Sequence, residues 1–257
     1  MFINNLDPVA VTIFNIDIRW YSLAYIFGLI LAIQFGKFLI KKNNFFNFNL
    51  NILDEYLPFA IIGIILGGRL GYVFFYDLNF FSQNPINIFF IWEGGMSFHG
   101  GLVGIIIISI FFAKKNNLEF YKFTDLLALI TPIGLFLGRL ANFINSELIG
   151  IPTSVPWSVI FIKVDNLTRH PSQLYEALLE GILLFLLLNI IFKFKKIKGL
   201  ISSCFLIFYS IFRIFSEQFR LPDEQIGYIF NMISMGTLLS LIMLITGVFL
   251  LKYAKNN

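Results

Sequence analysis

The chain carries seven apolar runs of about twenty residues, and this feature limits what it can fold into more than any other. At a rise of about 1.5 Å per residue, such a run crosses the roughly 30 Å hydrocarbon core of a bilayer as a helix. In lipid every backbone N–H and C=O must be bonded within the protein, so only helices and closed barrels span. Runs this long select helices. Composition agrees, with 58% of the 257 residues hydrophobic and only 13% charged. A soluble domain is about a quarter charged. The expectation is an all-α polytopic membrane protein forming one integral-membrane domain over residues 1–257.

The spans read as 20–40, 57–76, 95–113, 126–144, 173–192, 200–219 and 228–250. Residues 1–17 hold no Lys or Arg and no long apolar core, unlike a cleavable signal peptide. They read as a short exported segment. Residues 77–94 also lack Lys and Arg and read as an interfacial stretch. Residues 145–170, with Pro152, Pro156, Trp157, Asp165 and Arg169, read as a small extracytoplasmic subregion between the fourth and fifth spans. Lysines sit at alternate span ends: Lys37, Lys41, Lys42, Lys114, Lys115, Lys122, Lys193, Lys195, Lys196, Lys198, Lys252 and Lys255 on one side, Lys163 alone on the other. The positive-inside rule then predicts an outside N-terminus and a cytoplasmic C-terminus. The net charge of +4 is no nucleic-acid signal, because these lysines mark helix ends rather than one patch. The single cysteine, Cys204, excludes an internal disulfide or a multi-cysteine metal site and reads as an apolar filler.

Arginine behaves differently from lysine. Arg69, Arg139 and Arg213 lie about two-thirds of the way along the second, fourth and sixth spans, on the order of 10 Å below the surface opposite the lysines. A cation at that depth costs a few kcal/mol or more unless something offsets it. Tyr21, His99, Gln173, Tyr175 and Glu176 fall near the same level, and Tyr209, Arg213, Glu217 and Arg220 form a stripe on the sixth span. On the fourth span, Arg139, Asn142 and Ser146 share a face. Arg139 has the alternatives of pairing with Glu147 or snorkelling to the interface. Arg213 has that of pairing with Glu217, and Arg69, among glycines suited to close helix packing, that of a structural tether. His99 lies between glycines and carries the imidazole whose charge changes near neutral pH. His170 reads as interfacial or helix-starting, and Glu93 and Glu180 have no assignment. The pattern is one cationic cavity opening to one leaflet, suited to an anionic phospholipid because guanidinium takes phosphate bidentately.

Several blocks resemble one known family. Gly138-Arg139-Leu140-Ala141-Asn142-Phe143-Ile144-Asn145-Ser146-Glu147-Leu148-Ile149-Gly150 is similar to the signature of the bacterial phosphatidylglycerol–prolipoprotein diacylglyceryl transferases. Trp20-Tyr21, Gly67 to Tyr72, Gly94 to Gly101, Arg169 to Glu176, and Phe212-Arg213 through Glu217, Arg220 and Pro222-Asp223 resemble further blocks in the same order. Ala141 departs from a frequent glycine, and 151–168 looks short beside longer members. The resemblance implies transfer of the sn-1,2-diacylglyceryl group from phosphatidylglycerol to the lipobox cysteine thiol of prolipoprotein signal peptides, releasing glycerol 1-phosphate. It implies a bacterial plasma (inner) membrane enzyme whose active site faces the outer leaflet. It also implies His99, Arg139, Arg213, Tyr21 and Glu147 as catalytic residues, and Arg139, Asn142, Arg69, Arg213 and Glu217 as substrate-binding ones. The nucleophile is the substrate's thiol, so the chain needs no cysteine of its own. No cofactor is implied, and no metal-ligand spacing is present.

Two other classes compete. A transporter or flippase places its site near the midplane, often between inverted halves. Here the charges lie off-centre and the span count is odd. A non-catalytic lipid-binding subunit would need the arginines but no base, so His99 discriminates.

Overall fold

The computed structural model describes residues 2–222, 228–229 and 233–256. Among them are seven helices long and apolar enough to cross a membrane. They are α1 (Trp20–Lys42), α2 (Ile52–Phe75), α4 (Phe98–Lys115), α5 (Phe120–Asn145), the continuous pair α6 (Ser172–Glu176) and α7 (Leu184–Phe194), α8 (Leu200–Glu217) and α9 (Met235–Asn256). A short α3 (Leu78–Gln83) and two single-turn helices occupy the stretch between α2 and α4.

Three spans begin elsewhere than hydropathy suggests. Helix α2 starts at Ile52 and takes Asp54 and Glu55 into its first turn, where carboxylates favour the positive helix end. Asp54 also pairs with Lys37 of α1 at 2.6 Å. Helix α5 starts at Phe120 and so contains Asp125, which is fully buried. Its carboxylate accepts from the backbone N–H of Gly199 (2.7 Å) and Ser202 (2.8 Å) and from Ser202 Oγ (2.8 Å). A carboxylate on one helix thus caps the unpaired N–H groups that open α8. Helix α9 starts at Met235, not 228, because Ser234 Oγ accepts from Thr237 N at 3.1 Å and caps it. Two short strands, β6 (Tyr228–Ile229) and β7 (Ile233–Ser234), precede it.

At the end opposite the lysines the helices are topped by short strands. The N-terminal strand β1 (Phe2–Asn4) pairs in parallel with β4 (Val159–Phe161), which pairs antiparallel with β5 (Thr168–Arg169). The 145–170 stretch is therefore completed by the N-terminus rather than separate from it. Strands β2 (Val9–Ile13) and β3 (Ile16–Arg19) form a hairpin that runs directly into α1.

Helix α2 packs along α4, α1 along α5, and α8 along α9. Glycine sets the first contact. A Cβ on Gly104 would lie 2.0 Å from Gly63 O, one on Gly67 2.4 Å from Gly100 O, and one on Gly71 2.5 Å from Gly100 Cα. Three glycines on α2 at spacing four thus face two on α4, and the backbones touch. At the lysine end an aromatic core closes the bundle: Phe46 and Phe123 are fully buried, and Tyr56 meets Phe123 edge-on at 5.0 Å. Tyr56 and Ser109 hydroxyls join at 2.6 Å across α2 and α4. Large apolar side chains on the outer helix faces, such as Phe111, Ile245 and Phe249, stay exposed, as lipid contact requires.

Gly104→Val should therefore force α2 and α4 apart and lower the thermal midpoint of the detergent-purified protein by about 5 °C or more. Gly101→Ala, whose Cβ would meet nothing closer than Ile64 O at 3.7 Å, should leave it unchanged. Equal midpoints for the two variants would contradict the glycine contact.

Candidate active site

Three spans deliver charge to one buried point. Arg139 comes from α5, Glu176 and Glu180 from the fifth span, and Arg213 and Glu217 from α8. Arg139 Nη1 meets Glu176 Oε2 at 2.9 Å and its Nη2 meets Glu180 Oε2 at 2.9 Å. Arg213 Nη1 meets the other Glu176 oxygen at 2.7 Å, and its Nη2 meets Glu217 Oε2 at 2.7 Å. Arg220 Nη1 lies 3.7 Å from Glu176 Oε1. Glu176 and Glu180 are 0% exposed. Three guanidinium groups and three carboxylates thus balance in charge, which is what makes their burial tolerable. The backbone that follows Glu176 and carries Glu180 widens into a π-type turn, Ala177–Leu183, a feature that often marks functional sites. It abuts α5 at Gly181, where a Cβ would lie 2.7 Å from Phe136 Cβ.

This arrangement decides between the alternatives open in the sequence. Arg139 pairs across helices with Glu176 and Glu180, not with Glu147. Arg213 does pair with Glu217, one turn away, and also belongs to the shared centre. Glu180 was the missing acid. A lone carboxylate in an apolar run has no local partner to reveal its role; the signal was buried arginines on neighbouring spans that needed matching.

The signature block does two jobs. Asn142 Nδ2 donates to Glu147 Oε2 at 3.0 Å and Asn145 Nδ2 to its Oε1 at 3.1 Å, so the Glu147 carboxylate is pinned to the end of α5. Ser146, at φ 60°, turns the chain out of the helix, and Gln173 Nε2 donates to the Glu147 carbonyl. Further on the block is a splice. Gly150 sits where a Cβ would lie 2.2 Å from His170 O and 2.7 Å from Phe219 O, so glycine is required there. Leu221 N donates to Ile149 O and Ile151 N to Phe219 O, both at 3.0 Å, tying the exit of α5 to the exit of α8. Arg169 Nη1 holds Gly150 O at 3.0 Å, and the same guanidinium holds the Asp165 carboxyl below the usual carboxylate range.

Other candidates fall around this centre. Tyr21 opens α1, its hydroxyl 3.2 Å from that of Tyr25, within electrostatic reach of Glu147 and Arg139. His99 sits in the first turn of α4 behind the Ser97 cap, within electrostatic reach of Arg213. Its Nε2 is buried and has no hydrogen-bond partner among the described residues. Phe98 stacks on the buried Tyr209 ring at 4.8 Å, joining α4 to α8. His170 lies outside the spans, its Nδ1 3.1 Å from Tyr175 Oη, and burial pushes its imidazole below the usual range. Among the described residues no cluster of His, Cys, Asp and Glu could hold a metal ion. Asp223, in the last of the resembling blocks, lies outside the described residues. A cavity of about 210 Å³ beside the centre is lined by Glu217, Arg220, Ser234 and Thr237 among others.

Arg69 needs a correction. Its donors go to the backbone carbonyls of Ile88, Gly94, Gly95, Asn87 and Phe90. Five N–H groups meet five carbonyls, so none is left for a lipid phosphate. Depth along a helix matched Arg69 to the other arginines, but its side chain tethers the 87–95 segment that leads into His99.

A family model described as prolipoprotein diacylglyceryl transferase matches residues 8–253. The chain is 45% identical to a phosphatidylglycerol–prolipoprotein diacylglyceryl transferase of Nitrosospira multiformis, over 97% of this chain and 86% of that protein. It is 47% identical to the enzyme so named in Ehrlichia canis, over 97% of each chain. With that of Rhodospirillum rubrum it shares 46% identity over 97% of this chain and 93% of the relative.

Glu176→Ala should destabilise the fold by about 3–5 kcal/mol, since it strips a shared counter-charge from buried guanidinium groups. The check is thermal unfolding of purified protein against wild type; a midpoint within about 2 °C would contradict the role given to Glu176.

Proposed function

The chain belongs to the prolipoprotein diacylglyceryl transferase family, and on that premise we propose how its buried centre performs the transfer. It is a multi-pass membrane transferase that moves a diacylglyceryl group from phosphatidylglycerol to prolipoprotein. The acceptor is the lipobox cysteine thiol of the signal peptide, and glycerol 1-phosphate leaves. The lysine-rich ends lie in the cytoplasm. The centre then faces the outer leaflet of the bacterial plasma (inner) membrane, with the N-terminus outside. One observation carries this reading: Arg139 and Arg213 converge on the same two buried carboxylates inside a bundle of seven long apolar helices.

Arg139 takes the phosphate of phosphatidylglycerol, with Arg213 beside it. Few thiols are ionised at neutral pH, because a free cysteine has a pKa of about 8.5. His99 Nε2, buried without a partner among the described residues, receives the thiol proton. The sulfur attacks the glyceryl carbon that bears the phosphate, a C–S bond forms, and the C–O bond breaks with its electron pair on the phosphate oxygen. Negative charge grows on that oxygen, where the guanidinium groups stabilise it. The proton on His99 then passes to the leaving phosphate.

Glu217 orients Arg213 while accepting from Ser234 Oγ at 2.9 Å. Asn142 and Glu147, with Tyr21, form the side of the site toward α1 and meet the headgroup glycerol. Arg69 acts at a distance: it holds Gly94 and Gly95, just before Ser97 and His99, and so positions the base.

The test mixes purified protein, phosphatidylglycerol and a lipobox peptide, and weighs the peptide. Wild type should add one diacylglyceryl group. Arg139→Ala should abolish the gain while still inserting in the membrane; near-normal lipidation would refute its assignment. His99→Gln should lower kcat by about a hundredfold or more with KM for the lipid unchanged. A rise in KM alone would remove the base role.

A further inference from the structure

The centre poses a problem for any phosphate that is to bind there. Arg139 is already engaged on both sides of its guanidinium fork. Glu180 Oε2 accepts from Nη2 at 2.9 Å and from Nε at 3.3 Å, which is the edge by which an arginine grips a phosphate bidentately. Glu176 takes Nη1. A lipid phosphate that takes the Nε–Nη2 edge must displace Glu180 from it.

The two acids are not equally free to move. Glu176 is held from three directions, by Arg139, Arg213 and Arg220. Glu180 has one strong partner, Arg139. Its second oxygen, Oε1, lies 3.6 Å from Arg213 Nη1 and makes no hydrogen bond among the described residues. A second seat for this carboxylate is thus half-built. Glu180 also sits in the middle of the wide turn Ala177–Leu183. Of the Arg139–Glu180 pair, the arginine side chain is 12% exposed and the carboxylate 0%, so a ligand reaches the pair from the arginine side.

We propose that Glu180 is an internal competitor for Arg139: it holds the guanidinium while the site is empty, moves onto Arg213 when a lipid phosphate arrives, and returns to drive the product phosphate off. This rests on reading Arg139 as the phosphate ligand. The chemistry gives the device a purpose. The substrate is a phosphodiester with one negative charge, whereas the product is a phosphomonoester that carries up to two. Guanidinium groups with no rival would hold the product more tightly than the substrate, and turnover would stall at release. A carboxylate that competes for the same edge offsets that bias without touching the reacting carbon. Glu180 is therefore a positioning residue, acting through Arg139.

The test is Glu180→Gln in the purified enzyme, which keeps the shape and removes the charge. KM for phosphatidylglycerol and the inhibition constant of added glycerol 1-phosphate should both fall, by about tenfold each, while kcat falls as release slows. Glu180→Asp, which restores a carboxylate, should move all three back toward wild type. Folded Glu180→Gln enzyme with both constants unchanged or raised overturns the proposal. Arg139→Ala, read by direct binding of glycerol 1-phosphate followed at its ³¹P resonance rather than by turnover, separates the two levels of the argument: loss of binding supports Arg139 as the ligand, and full retention defeats that reading and this one with it. If Glu180→Gln does not fold, wild-type protein carrying ¹³C-labelled glutamate gives the same answer by infrared difference spectroscopy. A carboxylate band that shifts on adding phosphatidylglycerol supports the exchange of partners, and a silent spectrum overturns it.

Discussion

Everything in this molecule turns on keeping arginines inside an apolar bundle. A guanidinium group sheds its water there at a cost that neither helix propensity nor packing offsets. Glu176 meets that demand by serving Arg139 and Arg213 at once, with Glu180 and Glu217 completing the balance. The result is a neutral cluster whose cations still present hydrogen-bond donors to an incoming anion. Full neutralisation makes the cluster stable; the shared, exchangeable character of its pairs leaves it usable.

The surrounding architecture serves that cluster. Arg139, the acids and Arg213 come from spans tied together at the arginine end by the Gly150 splice and the carbonyl links of 149–151 to 219–221. His99 is brought in from another pair of helices, α2 and α4, whose glycines let the backbones touch. Arg69 anchors the segment just before His99 to α2, and Ser97 N adds a bond to Gly68 O at 2.9 Å. At the other end, Asp125 on α5 caps α8, so the helix bearing Arg139 also holds the start of the helix bearing Arg213. Two buried charges at opposite ends of α5 thus have opposite duties, one for shape and one for chemistry.

The seven spans were legible because a bilayer imposes a length, and a run of about twenty apolar residues meets it with little ambiguity. Span ends were less so, since Asp54, Glu55 and Asp125 sit inside helices only because each finds compensation that hydropathy does not record. Counting along a helix gives height but not azimuth. Counting residues placed Arg69, Arg139 and Arg213 at one level, yet Arg69 turns to the carbonyls of 87–95 while the other two turn to Glu176. Glu180 escaped notice because its partners lie on other helices, Arg139 being 41 residues away. The pairing of β1 with β4 was equally hidden, since it joins strands from opposite ends of the first 161 residues.

The most direct measurement is the ³¹P resonance of phosphatidylglycerol titrated into purified protein in zwitterionic micelles. On this account wild type shifts and broadens the signal saturably, and Arg139→Gln and Arg213→Gln each weaken that response strongly while remaining folded. A titration identical in wild type and in both variants would mean that the lipid anion binds elsewhere, and would contradict the account at its root.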